Sequence, residues 1–230
     1  MIIMAPDTDQ LIQSLAKSVR PVRPLSCPWL RVAGWLALAT PYMAMVVFAM
    51  SPRGDLAAKM SDWHFVIEQL AALATGLTAG LAAFASVVPG YCRKIIIAPM
   101  VPLAIWLATL GEGCVADWLR WGPEGLSLRP DWLCLPAIVL VGAVPAMVMV
   151  VMLRRGAPLT PHVTTALGAL AAAGLGNFGL RLFHPQDASL MVLVWQFGTI
   201  FALSVLAGCV GRFILDWRAL LRATRAKIAG

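Results

Sequence analysis

Two thiols twenty residues apart, Cys114 and Cys134, are the side chains in this sequence best placed to do chemistry. Each sits at the edge of an apolar run, Cys114 in LGEGCVADW and Cys134 in RPDWLCLP. Two neighbouring helix ends joined by a short connection bring both sulfurs to one depth. There a dithiol can close to a disulfide in an oxidising compartment, or two thiolates can hold a soft metal ion. A free cysteine also serves as a small buried hydrophobe, which is the reading for Cys27, Cys92 and Cys209. His64 and His184 border apolar runs on the same side, with Glu68 one helical turn beyond His64 and Glu112 beside Cys114. As metal ligands the two histidines rank below the cysteines, because polar capping explains a histidine at a helix end. Asn177 and Arg181 fit helix-to-helix ties or an outward-reaching side chain, and Glu124 and Asp131 fit solvated loop charges.

Enzyme signatures are missing. The sequence holds no G-x-S-x-G, no H-E-x-x-H, no Walker A and no dinucleotide fingerprint. His64, His162 and His184 all fall near run ends, so they do not form the deep facing pair that a haem requires. No cofactor is required on this reading; a transient heavy-metal ion at Cys114 and Cys134 is the one candidate group.

What must position these residues is a bundle of apolar helices. The chain has 230 residues, 60% of them hydrophobic and 13% charged, with a mean hydropathy of +0.81. A helix crosses the hydrocarbon with about 20 mostly apolar residues. Six runs qualify: Val32–Met50, Phe65–Val88, Ile95–Gly111, Leu133–Leu153, Val163–Leu182 and Leu190–Gly211. The third carries Pro99 and Pro102, which bend a helix unless a neighbour satisfies the freed carbonyls. Fold class is therefore all-α, a polytopic six-helix membrane bundle. Residues 1–28 form an N-terminal arm, 29–212 the membrane domain and 213–230 a basic tail. The second and fifth runs share small-residue spacing, Gly76 and Gly80 in one and Gly168, Ala172 and Gly176 in the other. Close helix packing explains this better than an inverted transport repeat.

Charge sets the orientation. Lys17, Arg20, Arg23, Arg31, Arg93, Lys94, Arg154, Arg155 and the five bases from Arg212 to Lys227 fall on one side. Arg53, Lys59, Arg120, Arg129 and Arg181 fall on the other. The positive-inside bias makes both termini cytoplasmic, and the net charge of +7 needs no nucleic-acid partner. Tryptophans mark the interfaces: Trp63, Trp118, Trp121 and Trp132 outside, Trp29 and Trp217 inside. The opening MIIMAPDTDQ lacks the basic start of a signal peptide.

The arm reads as a short amphipathic helix over Asp7–Val19. Asp7 and Gln10 fit a capping box, while Leu11, Ile12, Leu15 and Val19 share an apolar face. Pro21 and Pro24 then end the helix. So short a helix is unstable alone in water, so the membrane surface, the bundle's loops or a protein partner must cover its face. Lys17 is its one base and Asp7 and Asp9 oppose anionic lipid, so lipid is not favoured over a partner's groove.

Four stretches carry a family resemblance: DQLIQSLAKSVRPVRPL, SPRGDLAAKMSDWHFVIEQLAALATGLTAGLAAFASVVPG, LGEGCVADW and LRLFHPQDASLMVLVW. Together they resemble NrsF-type proteins, six-span negative regulators of sigma factor F in the bacterial inner membrane. The resemblance implies an anti-sigma factor that holds an extracytoplasmic-function sigma factor at the inner face of the membrane. It also implies that Cys114 and Cys134 are an outward-facing pair tied to sensing heavy-metal or oxidative stress. The arm would then supply Leu11, Ile12, Leu15 and Val19 as apolar contacts, with Arg20 and Arg23 facing acids on the sigma factor. A small-solute or ion transporter and a structural subunit of a membrane complex are the alternatives.

Overall fold

The computed structural model describes residues 8–18, 25–88, 90–122, 134–156, 158, 160–184, 193–194 and 198–214. Among them every regular element is helical: α1 Thr8–Ser18, α2 Pro28–Met50, α3 Leu56–Lys59, α4 Trp63–Ser86, α5 Arg93–Ile97, α6 Met100–Trp121, α7 Cys134–Leu153, α8 Pro161–Leu180 and α9 Gly198–Ile214. Five stretches are long and apolar enough to cross a bilayer: Pro28–Met50, Trp63–Ser86, Arg93–Trp121, Pro136–Leu153 and Pro161–Leu180. They make this a membrane protein. The apolar stretch of α9, Gly198–Gly211, falls below that length.

Most boundaries follow from local chemistry. Pro28 occupies the first turn of α2, where its missing N–H leaves no carbonyl unsatisfied. Asp62 accepts a 3.0 Å bond from the His64 amide and so starts α4 two residues ahead of the apolar run. The third run departs most from expectation. It divides at Ala98–Pro99 into α5 and α6, and Pro102 falls within the first turn of α6, where no amide partner is lost. Helix α6 then continues past Gly111 to Trp121. Cys114 therefore lies inside a helix, two turns before its end, and does not terminate the span as expected.

The core forms around α4 and α8, which meet backbone to backbone. A Cβ placed on Gly174 would lie 2.7 Å from the Gly76 nitrogen and 2.8 Å from the Ala72 oxygen. A Cβ on Gly76 would lie 2.9 Å from the Leu175 nitrogen. The expected small-residue packing is present, but with a different partner. Gly76 meets Gly174, whereas Gly168 faces Met149 and Leu153 of α7 and Gly176 faces Gly142. Ser86 and Thr164 join the opposite ends of the two helices through a 2.8 Å hydroxyl contact.

Helix α2 joins this core by side-chain bonds to carbonyls of α7. Trp35 is fully buried and its Nε1 donates to the Pro145 oxygen at 2.9 Å. The Tyr42 hydroxyl donates to the Leu140 oxygen at 2.6 Å. Helix α9 packs on α8, where His162 Nδ1 lies 2.6 Å from the Gly208 oxygen. Around the periphery Leu38, Phe48, Val101, Leu119, Met147 and Phe201 are exposed, as side chains facing acyl chains must be.

Candidate functional site

The membrane domain carries polar chemistry at two opposite ends. One end holds a cavity of about 650 Å³ between the start of α4, the second half of α6 and the end of α8. His64, Glu68, Glu112, Asp117, Arg120 and Arg181 are among its lining residues. The helical spacing expected of His64 and Glu68 therefore holds, since both line one space. His64 Nε2 lies 4.0 Å from Glu112 Oε1, which bridges α4 to α6. Arg181 donates to Glu68 Oε2 at 2.9 Å with side-chain exposures of 6% and 14%. This ion pair, buried on the Arg181 side and partly open to the cavity at Glu68, ties α8 to α4. The Arg181 guanidinium also sits 5.2 Å from the Phe65 ring centroid, near enough for cation–π attraction. Of the two expectations for Arg181, the helix tie is the one realised. Asn177 is buried as well, but its Oδ1 has no hydrogen-bond partner.

Beside the cavity Arg53 is buried at 7% exposure and grips Asp55 through two bonds of 2.6 and 2.8 Å. The hydrogen bond from Arg53 holds the Asp55 carboxyl below its usual range. The Arg53 amide also bonds the Leu182 oxygen at 3.0 Å, joining this loop to the end of α8.

Cys114 is a free, half-buried thiol on α6 between two cavity-lining residues, Gly113 and Ala116. Cys134 begins α7, and its side chain lies outside the described residues. His184 follows α8 and its amide bonds the Leu180 oxygen at 2.8 Å. Among the described residues no group of three or more His, Cys, Asp or Glu side chains is close enough to hold a metal ion.

The opposite end carries the arm. Helix α1 leaves Leu11 48% and Ile12 57% exposed, so their apolar face has no cover from the bundle. The Leu15 side chain and all of Val19, Arg20 and Arg23 lie outside the described residues. Where the arm enters the membrane domain, Arg31 does more than border a span: at 5% exposure it donates to the Phe84 oxygen at 3.4 Å and the Met152 oxygen at 2.7 Å. Its guanidinium lies 4.5 Å from the Phe84 ring centroid. One side chain thus satisfies the last carbonyls of α4 and α7, which no intrahelical amide can reach.

Several of these residues left little trace in the sequence. Asp117 and Arg120 join the cavity only because α6 runs through the glycines at 111 and 113. Their spacing from Gly113, at four and seven residues, was the available signal.

A bundle of membrane-crossing helices with a polar cavity at one end and an exposed amphipathic helix at the other defines an all-helical polytopic membrane protein. The family model described as NrsF, negative regulator of sigma F, matches residues 15–217, and the chain belongs to that family. Negative regulation of a sigma factor is its class of activity, and a sigma factor is the partner which that description implies. No curated protein and no solved structure matches the chain significantly.

Proposed function

We propose that this protein is an anti-sigma factor of the bacterial inner membrane. It sequesters an extracytoplasmic-function sigma factor on the cytoplasmic side and releases it on a periplasmic stress sensed near Cys114 and Cys134. The observation that carries the reading is the bare face of α1 at Leu11 and Ile12, next to a membrane domain of a sigma-regulating family. The basic residues cluster at the arm end, which supports a cytoplasmic arm and tail. A cytoplasmic tail also requires α9 to make a sixth crossing. At 17 residues it rises about 25 Å, against roughly 30 Å of hydrocarbon.

Burying four side chains, Leu11, Ile12, Leu15 and Val19, contributes about 1.5–3 kcal/mol each before the ordering of the arm is charged against it. That suits a reversible hold. Arg20 and Arg23 supply charge for acids on the partner. Release requires the bundle to have two states that differ in affinity for the sigma factor. Oxidation of the two thiols to a disulfide by a two-electron oxidant such as a peroxide, which takes up the two electrons and two protons and leaves as water, or capture of a soft metal ion between the two thiolates with loss of their protons, would shift α6 against α7.

Capture of the sigma factor by full-length protein carrying Leu11→Asp and Leu15→Asp tests the arm. Undiminished capture would remove α1 as the main contact. Cys114→Ser with Cys134→Ser tests the sensor, and an unchanged response to oxidant and to cadmium would reject that half. The polar cavity alone favours a transporter, and ligand-driven flux in liposomes would establish that reading instead.

A further inference from the structure

A second cavity, of about 360 Å³, opens between α7 and α9 over the small-residue surface of α8. Its lining is apolar, with Ile138, Gly142 and Ala146 from α7, Ala173 from α8 and Leu203 from α9, and Asn177 as its one strongly polar member. Asn177 is 5% exposed, and its Oδ1 has no hydrogen-bond partner. A buried carbonyl oxygen left unpaired in an apolar surround is costly, and such groups ordinarily have a partner. Ala169 and Asn177 both line the cleft and lie eight residues apart on α8, about 12 Å along its axis. Asn177 stands three residues from the end of α8 and Ala169 near its middle. The polar atom is therefore at the end of the cleft nearest the bilayer surface, and the apolar remainder points toward the midplane.

We infer that this cleft binds a medium-length amphiphile dissolved in the membrane, whose hydroxyl donates to Asn177 Oδ1 while its alkyl body lies against α7, α8 and α9. Size supports a small ligand, because the volume falls within the range of small-molecule pockets. A transmembrane helix of about 10 Å diameter would need roughly 900 Å³ over the same length. Chemistry excludes an ordinary phospholipid chain as the matched occupant, since an acyl chain has no donor for the Asn177 oxygen. The site is separate from the polar cavity: Asn177 lines this cleft and is absent from the other lining. Helix α7, one of its walls, is bonded to α2 through Pro145 and Leu140, so an occupant bears directly on the helix that follows the arm.

The test uses full-length protein in phosphatidylcholine nanodiscs and a 1-decanol probe carrying a diazirine. Photolabelling should saturate and map to the segments 138–146 and 169–177. Unlabelled 1-decanol should displace the probe about fivefold more effectively than decane, the worth of one neutral hydrogen bond. Asn177→Leu should bring the two competitors level, and Ala207→Trp, which fills the α9 wall, should abolish saturable labelling. The competition in the unaltered protein stands even where a variant fails to fold. Labelling that never saturates, or equal displacement by decane and 1-decanol in the unaltered protein, overturns the inference. Because the readout involves no sigma factor, failure here leaves the anti-sigma reading untouched, and failure of sigma capture leaves this one untouched.

Discussion

Removing Arg181 leaves Glu68 as a carboxylate 14% exposed, with its 2.9 Å partner gone. Breaking a buried ion pair from one side costs about 3–5 kcal/mol, because the remaining charge keeps its desolvation and loses its attraction. Arg181→Met should therefore lower the folded-to-unfolded ratio by roughly two to three and a half powers of ten. Loss of the contact with Phe65 contributes to the same figure, at about 0.5–2 kcal/mol. Glu68→Gln keeps a hydrogen-bond acceptor for the guanidinium and should cost less, about 1.5–3 kcal/mol. The double change, Arg181→Met with Glu68→Leu, removes both charges. It should recover most of the loss, since apolar replacement of a buried pair is often neutral or stabilising. Equilibrium unfolding in mixed micelles by circular dichroism gives all three values, and with Glu68→Leu alone as the fourth variant the cycle yields a coupling energy. Additive effects with Arg181→Met below about 1 kcal/mol would refute the argument. The pair would then behave as a solvated surface contact, and the α8-to-α4 tie would have to come from elsewhere.

Three further outcomes follow from the packing. Gly174→Ala should destabilise by about 1–3 kcal/mol, because the new methyl meets the Gly76 and Ala72 backbones and the helices must part; the helical control Gly111→Ala, where nothing lies within 4 Å, should stabilise by up to about 1 kcal/mol in the same unfolding assay. Trp35→Phe should cost about 0.5–1.5 kcal/mol by removing the indole bond that ties α2 to the Pro145 carbonyl, read from the unfolding midpoint. Asp55 titrates below its usual range when folded, so its bond to Arg53 contributes fully above the unfolded carboxyl value and is lost as pH falls through the folded one. Asp55→Asn should flatten that acid limb of the stability profile, and an unchanged slope would show that the bond contributes nothing.

The sequence read its long-range architecture well and its polar interior poorly, for a physical reason. Membrane spans are signalled by hydrophobic length, which is summed over about 20 residues and tolerates local error. The runs thus foresaw α2, α4, α7 and α8 to within a few residues. Cavity partners depend instead on where one helix stops. The third apolar run ends at Gly111, yet α6 runs on to Trp121 and carries Glu112, Asp117 and Arg120 along one lengthened helix. Arg31 and Arg53 border apolar runs and so read in the sequence as charges that set orientation. Both prove buried, one on two carbonyls and one on a carboxylate. A basic residue at a span end satisfies the positive-inside bias and a terminal carbonyl by the same side chain, so the pattern alone does not separate the two uses.

The bundle is held by two kinds of joint. At the α4–α8 crossing backbones touch through Gly76 and Gly174, so any sliding of one helix past the other drives main-chain atoms into contact. At the α2–α7 contact the bonds run from the ends of long side chains, Arg31, Trp35 and Tyr42, to carbonyls of α7. Side chains of that length follow a carbonyl over small displacements, which backbone contacts do not allow. The joint beside the arm is accordingly the one able to adjust. Helix α7 is common to that joint, to the cleft below Asn177 and to Cys134 at its first residue. Under the proposed release, a displacement begun at either of the latter two would reach α2 through these side-chain bonds.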